Sequence, residues 1–536
     1  MAVLYGFEVV SIQTYILSSG KLRDMIGAST LVEQLSGDIL DGVLAALNLS
    51  ETKPRFLRRA GGGFRCLLPD EATAQRLRDA WSLAVQTQAP GLGFVHAVVT
   101  GEDVQAADEK LDRKLREQRG HSLPWMPLAG PYSVRAPRTG YPAVDRERHG
   151  ELLDPMTRNK REWSEKPGIE KLLDLGWEGV TWPKQFHPDE EGDEPALVKG
   201  EPGERTVGII HADGNGLGRI VEQVKTYAGQ GGRDYVAVMA AFSDAVATAT
   251  RQAVTQAASL FVPFADGKGG KIEMPARPLV MAGDDITIVV RGEHALMFAK
   301  AMLLEFEKAS EQAFKKIEKQ CSGLEDLPTL TACAGIAFVK ANQPFMPAYR
   351  LCESLCQHAK TESKKHKDPD KRVPPSLAFH RVTTSMIDDF ETVLARELAV
   401  VEKRTMSMQP YGVDGTAPQL PQLDDLEDLG KLVLQSSRGS VHALTQLLHE
   451  DHDRVQRAMT RWMENMAKLE KSPSKEDQPS FGKGLLQRWR VSLKRLVPEP
   501  HNDFSSEATL PLLSKQGRCP LGDALVLVEV QGGSHA

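Results

Sequence analysis

The sequence predicts an α+β protein in which one unit of strands and helices occurs twice and a helical domain follows. Three observations predict it. An order of strand, helix, hairpin, helix, strand, helix recurs along the chain, and both copies set glycine in the turn of the hairpin. Beyond about Pro374 the strand patterns give way to helical spacing.

In the first copy an apolar strand, Val3 to Val10, leads to a helical pattern around Leu22 to Leu47. A hairpin spans Phe56 to Leu68, with Gly61, Gly62 and Gly63 at its tip. A helix (Glu71 to Gln86), a strand (Gly93 to Thr100) and a helix (Val104 to Gln118) complete it. The second copy repeats the order with a strand (Thr206 to Ala212), a helix (Tyr235 to Ala257) and a hairpin (Pro278 to Arg291) turning at Gly283 and Asp284. It ends with a helix (His294 to Lys319), a strand (Leu330 to Val339) and a helix (Met346 to Lys365). This order suits an antiparallel sheet covered by helices on one face, a ferredoxin-like, palm-type unit.

The expected domains are a first palm at 1–121, a connector at 122–204, a second palm at 205–375 and a helical C-terminal domain at 376–536. The connector, rich in Pro, Gly, Trp and charge, is expected to hold little regular structure. Its acidic run Asp189 to Glu194 reads as a solvated loop. In the last domain, helical patterns run over Leu426 to Leu448, Asp451 to Leu469 and Gly482 to Val497, interrupted by the polar stretch Lys471 to Gln478. Ala524 to Val530 reads as a closing strand.

Composition narrows the function. A chain of 536 residues, 41% hydrophobic and 26% charged, has room for about three packed domains. With 66 basic against 72 acidic side chains, the net charge of -6 offers no global attraction to nucleic acid. Six scattered cysteines make no disulfide framework and indicate a reducing cytoplasm. No membrane span or signal peptide is expected.

The chemistry concentrates in two segments. Val207 to Asp213 is an apolar strand ending in an aspartate, followed by the glycine-rich turn Gly214, Asn215, Gly216, Leu217, Gly218. Backbone N–H groups in such a turn can approach phosphate oxygens without a Cβ in the way. Leu279 to Val290 is an apolar hairpin that carries Gly283, Asp284 and Asp285 at its turn, where a structural turn needs only one small polar residue. Two adjacent carboxylates between buried strands call for a cation. In a palm-type sheet Asp213 would meet Asp284 and Asp285 at one edge, forming a site for Mg²⁺ or Mn²⁺. Nucleotidyl transfer needs such a site, with one ion activating a 3′-hydroxyl and a second steadying pyrophosphate. Lys360 and Lys364, one helical turn apart, are candidates for the triphosphate.

The segment Ala282-Gly-Asp-Asp285 resembles the Gly-Gly-Asp-Asp signature of the second palm in the large subunit of type III CRISPR effector complexes, a family related to GGDEF cyclases. Ala212 to Gly218 looks like that family's metal-binding first strand, and Ala334-Gly-Ile through Ala359-Lys360 like its closing strand and helix. Ile12-Gln-Thr-Tyr-Ile16 and Lys21 to Ser29 are similar to its first palm, with Gly61 to Phe64 as a catalytically silent hairpin.

The resemblance implies a synthase that joins ATP into cyclic oligoadenylate, with Asp213, Asp284 and Asp285 holding two Mg²⁺ or Mn²⁺ ions. Gly214, Asn215, Gly216, Gly283, Lys360 and Lys364 would then bind nucleotide. It implies other effector-complex subunits and guide and target RNA as partners, in antiphage defence. Three departures are expected to matter. Ala282 replaces the first glycine, no cysteine lies between Cys66 and Cys321 to form the family's zinc element, and the first palm strand at Val3 leaves no HD nuclease ahead of it. Two other readings stay open: a stand-alone palm cyclase that works without guide RNA, for which a homodimer is an option, and a non-catalytic palm scaffold. His449 to Asp453, which contains an HD dipeptide, reads as a charged helix start, and Cys352 and Cys356 as small buried side chains.

Overall fold

The structure is a computed structural model. It describes residues 1–49, 54–120, 128–147, 150–176, 179–188, 195–198, 206–230, 232–261, 272–321, 324, 327–368, 372–400, 404–436, 438–449, 452–471, 484–500 and 510–531. The acidic run Asp189 to Glu194 and most of Lys471 to Gln478 lie outside the described residues.

The first sheet contains β1 (Ala2–Val9), β2 (Arg55–Ala60), β3 (Gly63–Leu68) and β4 (Phe94–Gly101), in the order β2-β3-β1-β4 and antiparallel throughout. The helical pattern after β1 divides into α1 (Ile12–Leu17), α2 (Leu22–Leu35) and α3 (Asp38–Ala46). α4 (Glu71–Gln88) and α5 (Val104–Arg119) flank β4 in sequence.

Helices cover both faces of this sheet, a correction to the one-face expectation. Phe7 meets Trp81 of α4 edge-on at 5.3 Å, whereas its neighbour Gly6, pointing the other way, packs under Leu111 of α5. A strand covered on both sides reads as a continuous apolar run, as β1 does at Val3 to Phe7.

The connector is more structured than expected. It contains the short ladder of β5 (Asp145–Arg146) with β6 (Leu152–Leu153), α6 (Pro155–Ser164), and β7 (Val180–Thr181), which pairs with β9 (Ile272–Glu273). Asp154 caps α6 by accepting from the Thr157 N–H, and Pro155 starts the helix with no donor to lose. α6 seats on α2 at Gly27, where a Cβ would stand 1.6 Å from the Lys160 carbonyl oxygen. Beside it, buried Arg161 reaches Asp24 at 2.9 Å and Glu151 at 2.9 Å. Low hydrophobicity hid this helix, because ion pairs and a backbone contact hold it.

The second sheet begins with β8 (Thr206–Asn215), β10 (Ala276–Ala282), β11 (Asp285–Arg291) and β12 (Thr331–Lys340). Its order β10-β11-β8-β12 is that of the first sheet. α7 (Leu217–Ala228) and α8 (Tyr235–Ser259) follow β8, α9 (Gly292–Gln320) follows β11, and α10 (Phe345–Ser363) follows β12. Helices again cover both faces: Gly208 lies under Ala295 of α9, and the backbone of α10 lies against Gly335. From α10 the Cys352 thiol donates to the Ile209 and Gly335 carbonyls, at 2.9 and 3.1 Å.

Two strands beyond residue 375 extend this sheet: β13 (Ser376–Arg381), parallel to β12, and β14 (Tyr411–Gly412). The rest of the chain is helical, in α11 (Phe390–Arg396), α12 (Leu423–Leu434), α13 (Arg438–Leu447), α14 (His452–Lys471), α15 (Leu485–Leu496) and α16 (Leu521–Gln531). The strand expected at Ala524 to Val530 is therefore a helix. Its valines favour a strand, yet α16 packs on α12, where Gly430 admits Leu527, and on α9. Asp523 ties α16 to the sheet by accepting from Met408 N–H, Gln409 Nε2 and Tyr411 Oη, each at 2.7 Å.

The two palms meet along a seam. Gly61 lies against Ala282, so the hairpin tips abut, and α8 packs across β2. Polar contacts pin the seam: Lys225 lies 2.5 Å from Asp112, and Tyr235 Oη donates to Asp108 at 2.9 Å.

Candidate active site

Asp213 and Gly214 lie just before Asn215, the last residue of β8, and Gly216 turns the chain into α7 with φ at 81°. The turn between β10 and β11 is Gly283 and Asp284, with Gly283 at φ 69°, a backbone state only glycine adopts freely. Ile286 pairs with Ala212, so the next step toward the turn brings Asp285 level with Asp213. Thr250 of α8 donates its hydroxyl to the Gly283 carbonyl and so holds the turn from below.

The three aspartates share this edge but face different neighbours. Asp284 folds over Gly214, where a Cβ would stand 2.6 Å from its Oδ2. Asp213 accepts from the Lys360 ammonium at 2.5 Å, and the same ammonium reaches the Gly214 carbonyl at 2.6 Å. Asp285 turns toward the first palm and accepts from the side-chain amide of Gln13, while its Oδ1 has no hydrogen-bond partner. His211 Nδ1 lies 3.5 Å from that carboxylate and 3.4 Å from Thr287 Oγ1.

Burial sets the electrostatics. It raises the Asp284 carboxyl above the usual range, and the charge of Asp213 adds to it. Asp285 is pushed up to about 7, by burial first and then by Asp213 and Asp284. Burial also takes His211 down to about 4, so its imidazole is neutral at physiological pH and neutralises neither aspartate.

A cavity of about 340 Å³ opens along the seam beside Asp284. Leu57, Met239, Phe242 and Val246 form apolar walls, and Arg58 of β2 reaches in from the first palm. Arg65 and Lys225 also line it but are neutralised: Arg65 by Glu8 at 2.8 Å and Asp108 at 2.9 Å, Lys225 by Asp112. Arg58 has no hydrogen bond or ion pair among the described residues. The irregularity of the β2–β3 ladder between Phe56 and Arg58 re-aims it.

Other expected site residues lie differently. Asn215 is buried, with its amide directed to Thr331 Oγ1 at 3.1 Å and Cys333 Sγ at 3.4 Å, so its side chain ties β8 to β12. Lys364 caps the end of α10, exposed, and makes no contact with the aspartates among the described residues. Gln13, Arg58, Thr250 and His211 are site neighbours that the sequence reading did not single out. The sole sequence signal for Gln13 was its place in the segment Ile12 to Ile16.

Among the described residues, no three carboxylate, imidazole or thiol groups stand at a common point. The donor chemistry still suits a hard divalent cation. Three aspartates share one sheet edge, two are held above their ordinary range by burial and mutual repulsion, and Oδ1 of Asp285 is unsatisfied.

Residues 206–368 match the family described as Cas10/Cmr2, second palm domain. No curated protein sequence matches the chain. Among solved structures, the Csm1–Csm4 cassette in complex with cA4 aligns with a TM-score of 0.51 at 12% identity, covering 92% of this chain and 70% of that one. The cassette in complex with AMPPNP aligns with a TM-score of 0.51 at 11% identity, covering 99% and 70%. The cassette with one ATP gives the same values. At such identity these alignments speak for the fold, and the family match rests on the second palm. Residues 206–368 thus match the Cas10/Cmr2 second palm domain, and the fold of the chain is like that of the Csm1–Csm4 cassettes.

Proposed function

We propose that this protein is a metal-dependent nucleotidyltransferase that converts ATP to cyclic oligoadenylate in a type III CRISPR-like antiphage defence. The observation that carries this reading is the seam cavity, which joins apolar walls and the unpaired cation Arg58 to the Asp284 end of the aspartate edge. Such a cavity suits a molecule with a flat apolar base and a polyanionic tail. The matched cassettes in complex with ATP, AMPPNP and cA4 support the choice of substrate and product class.

In the proposed reaction the 3′-hydroxyl of one nucleotide attacks the α-phosphorus of the next. A phosphodiester forms, pyrophosphate leaves and one proton is released. Asp213, Asp284 and Asp285 would hold two Mg²⁺ or Mn²⁺ ions, which supply a lowered pKa at the hydroxyl and charge neutralisation at the pyrophosphate. Lys360 would exchange Asp213 for phosphate when the cation side of the site fills. Gly214, Gly216 and Gly283 keep side chains away from the phosphate path. Ring closure is the same transfer made intramolecularly.

The matched structures are cassettes of two subunits, which supports effector-complex partners for this chain. Guide and target RNA and a cytoplasmic setting belong to the same proposal. No helix among the described residues is long and apolar enough to cross a membrane.

The test is incubation of purified protein with labelled nucleoside triphosphates and Mn²⁺, with and without candidate RNA, beside an Asp284→Ala/Asp285→Ala variant. Metal-dependent oligomeric products absent from the variant support the assignment. Identical product profiles under every condition would sink it.

A further inference from the structure

We infer that Gln13 is a positioning residue for the candidate metal centre, contributed by the first palm to Asp285 of the second. The inference rests on the proposed role of Asp285 as a metal ligand and adds a residue that acts through it.

The local chain geometry delivers this side chain. β1 ends at Val9, and Ser11 takes φ 55°, a left-handed conformation uncommon outside glycine. That bend reverses the chain into α1, whose first turn lies over the seam. From there the Gln13 amide donates to Asp285 Oδ2, across 272 residues of sequence, and leaves Oδ1 as the oxygen without a hydrogen bond, its neighbour being Nδ1 of the neutral His211 at 3.5 Å.

A carboxylate tied through one oxygen has a fixed plane, and the free oxygen is the one offered to a cation. A neutral amide suits this task. A carboxylate in its place would add repulsion to an edge that already holds three aspartates, and an ammonium would compete with the metal. The contrast is visible at Asp213, where the partner is the Lys360 ammonium. Because Gln13 belongs to the first palm, the orientation of Asp285 depends on a closed seam.

The experiment uses the full chain with Gln13→Ala, Gln13→Lys, Asp285→Ala and, as a control on the exposed side of α1, Thr14→Ala. Mn²⁺ alone is titrated while the melting temperature is followed, and product formation from saturating ATP is then measured against Mn²⁺. In Gln13→Ala both Mn²⁺ midpoints should rise roughly 10-fold or more, the usual loss when a ligand's outer hydrogen bond is removed, while KM for ATP stays within about twofold. Gln13→Lys should melt higher than wild type without metal and need still more Mn²⁺, an outcome that a purely structural role would not give. Thr14→Ala should follow wild type.

Superimposed Mn²⁺ curves for Gln13→Ala and wild type, with the response lost in Asp285→Ala, overturn the inference about Gln13 alone. A Mn²⁺ response that also survives in Asp285→Ala overturns the metal reading of the hairpin and this inference with it.

Discussion

Arg119 stands on Glu8 in the first palm as Lys360 stands on Asp213 in the second, at 2.7 and 2.5 Å. The equivalence follows from register. Glu8 pairs with Gly63, and Ala60 pairs with Gly63 as Ala282 pairs with Asp285, so Gly61 and Gly62 take the places of Gly283 and Asp284. The first palm thus retains the strand-end acid and the helix cation but no turn carboxylates. In place of the second palm's Thr287 it has Arg65, whose guanidinium neutralises Glu8 at 2.8 Å. An acid already paired to two guanidiniums has little left for a metal, which argues for one centre per chain.

The Lys360 contact makes the first prediction. Lys360→Ala leaves Asp213 and the Gly214 carbonyl without their shared donor, at a cost of about 1–3 kcal/mol in stability without metal. Added Mn²⁺ takes over that charge, so the variant should gain more in melting temperature from Mn²⁺ than wild type does. Its synthesis should still fall at least about 10-fold, because the proposed phosphate contact would be lost. Equal Mn²⁺ shifts for the two proteins would show that Lys360 is not the counter-ion of this edge.

Arg58 makes the second. It is the cavity cation with no internal partner among the described residues, so Arg58→Ala should weaken binding of a non-hydrolysable ATP analogue by roughly 10- to 100-fold, the worth of a charge-assisted hydrogen bond or two. Adenosine, which lacks phosphates, should bind wild type and variant alike. Calorimetric titration of both ligands into both proteins decides it, and Arg58→Lys should recover part of the loss.

These residues show what a sequence reveals and what it conceals. Asp213, Asp284 and Asp285 stand out because each interrupts an apolar strand pattern, and the repeated sheet order was legible in the recurring elements. Gln13 and Arg58 were not, because they act across a seam that no local pattern encodes. Lys364 falls one helical turn after Lys360, but α10 ends at Ser363 and its C-cap faces solvent. The strand reading of Ala524 to Val530 followed valine preference, which packing on α12 and α9 overrides. The layering was misjudged for a related reason: β12 is buried through almost its whole length, and a strand covered on both faces loses the alternation that marks an open side.

The third prediction concerns pH. The folded-state pKa of Asp285, about 7, lies above the ordinary carboxylate value of 3.8, and Asp284 shifts in the same direction. Between these values the folded protein holds a proton that the unfolded chain has released. Without metal, stability should therefore be greatest with respect to this group below pH about 4 and decline as pH rises toward 7, the loss being of the order of a few kcal/mol. Asp285→Asn removes the ionisation, so it should melt above wild type at pH 8, with the gap closing toward pH 4. Melting curves in a chelating buffer over this range test it, and a gap that is constant with pH would contradict the assignment.

Gly214 makes the last prediction. A Cβ at this position would stand 2.6 Å from Asp284 Oδ2 and 2.7 Å from Asp284 Cβ, distances that force one of the two residues to move. β8 is held on both sides, by β11 and by β12, whereas Asp284 sits at the tip of a hairpin with a left-handed glycine beside it. The tip should yield. Gly214→Ala should therefore keep its cooperative unfolding, lose about 1–3 kcal/mol as an overpacked site does, and lose synthesis by about 100-fold or more as Asp284 leaves its place over the strand. Gly42→Ala in α3, whose Cβ would meet nothing within 4 Å and which does not line the seam cavity, is the control and should retain both stability and synthesis. Near-wild-type synthesis in Gly214→Ala would mean that the position of Asp284 over the strand is not the one used in catalysis.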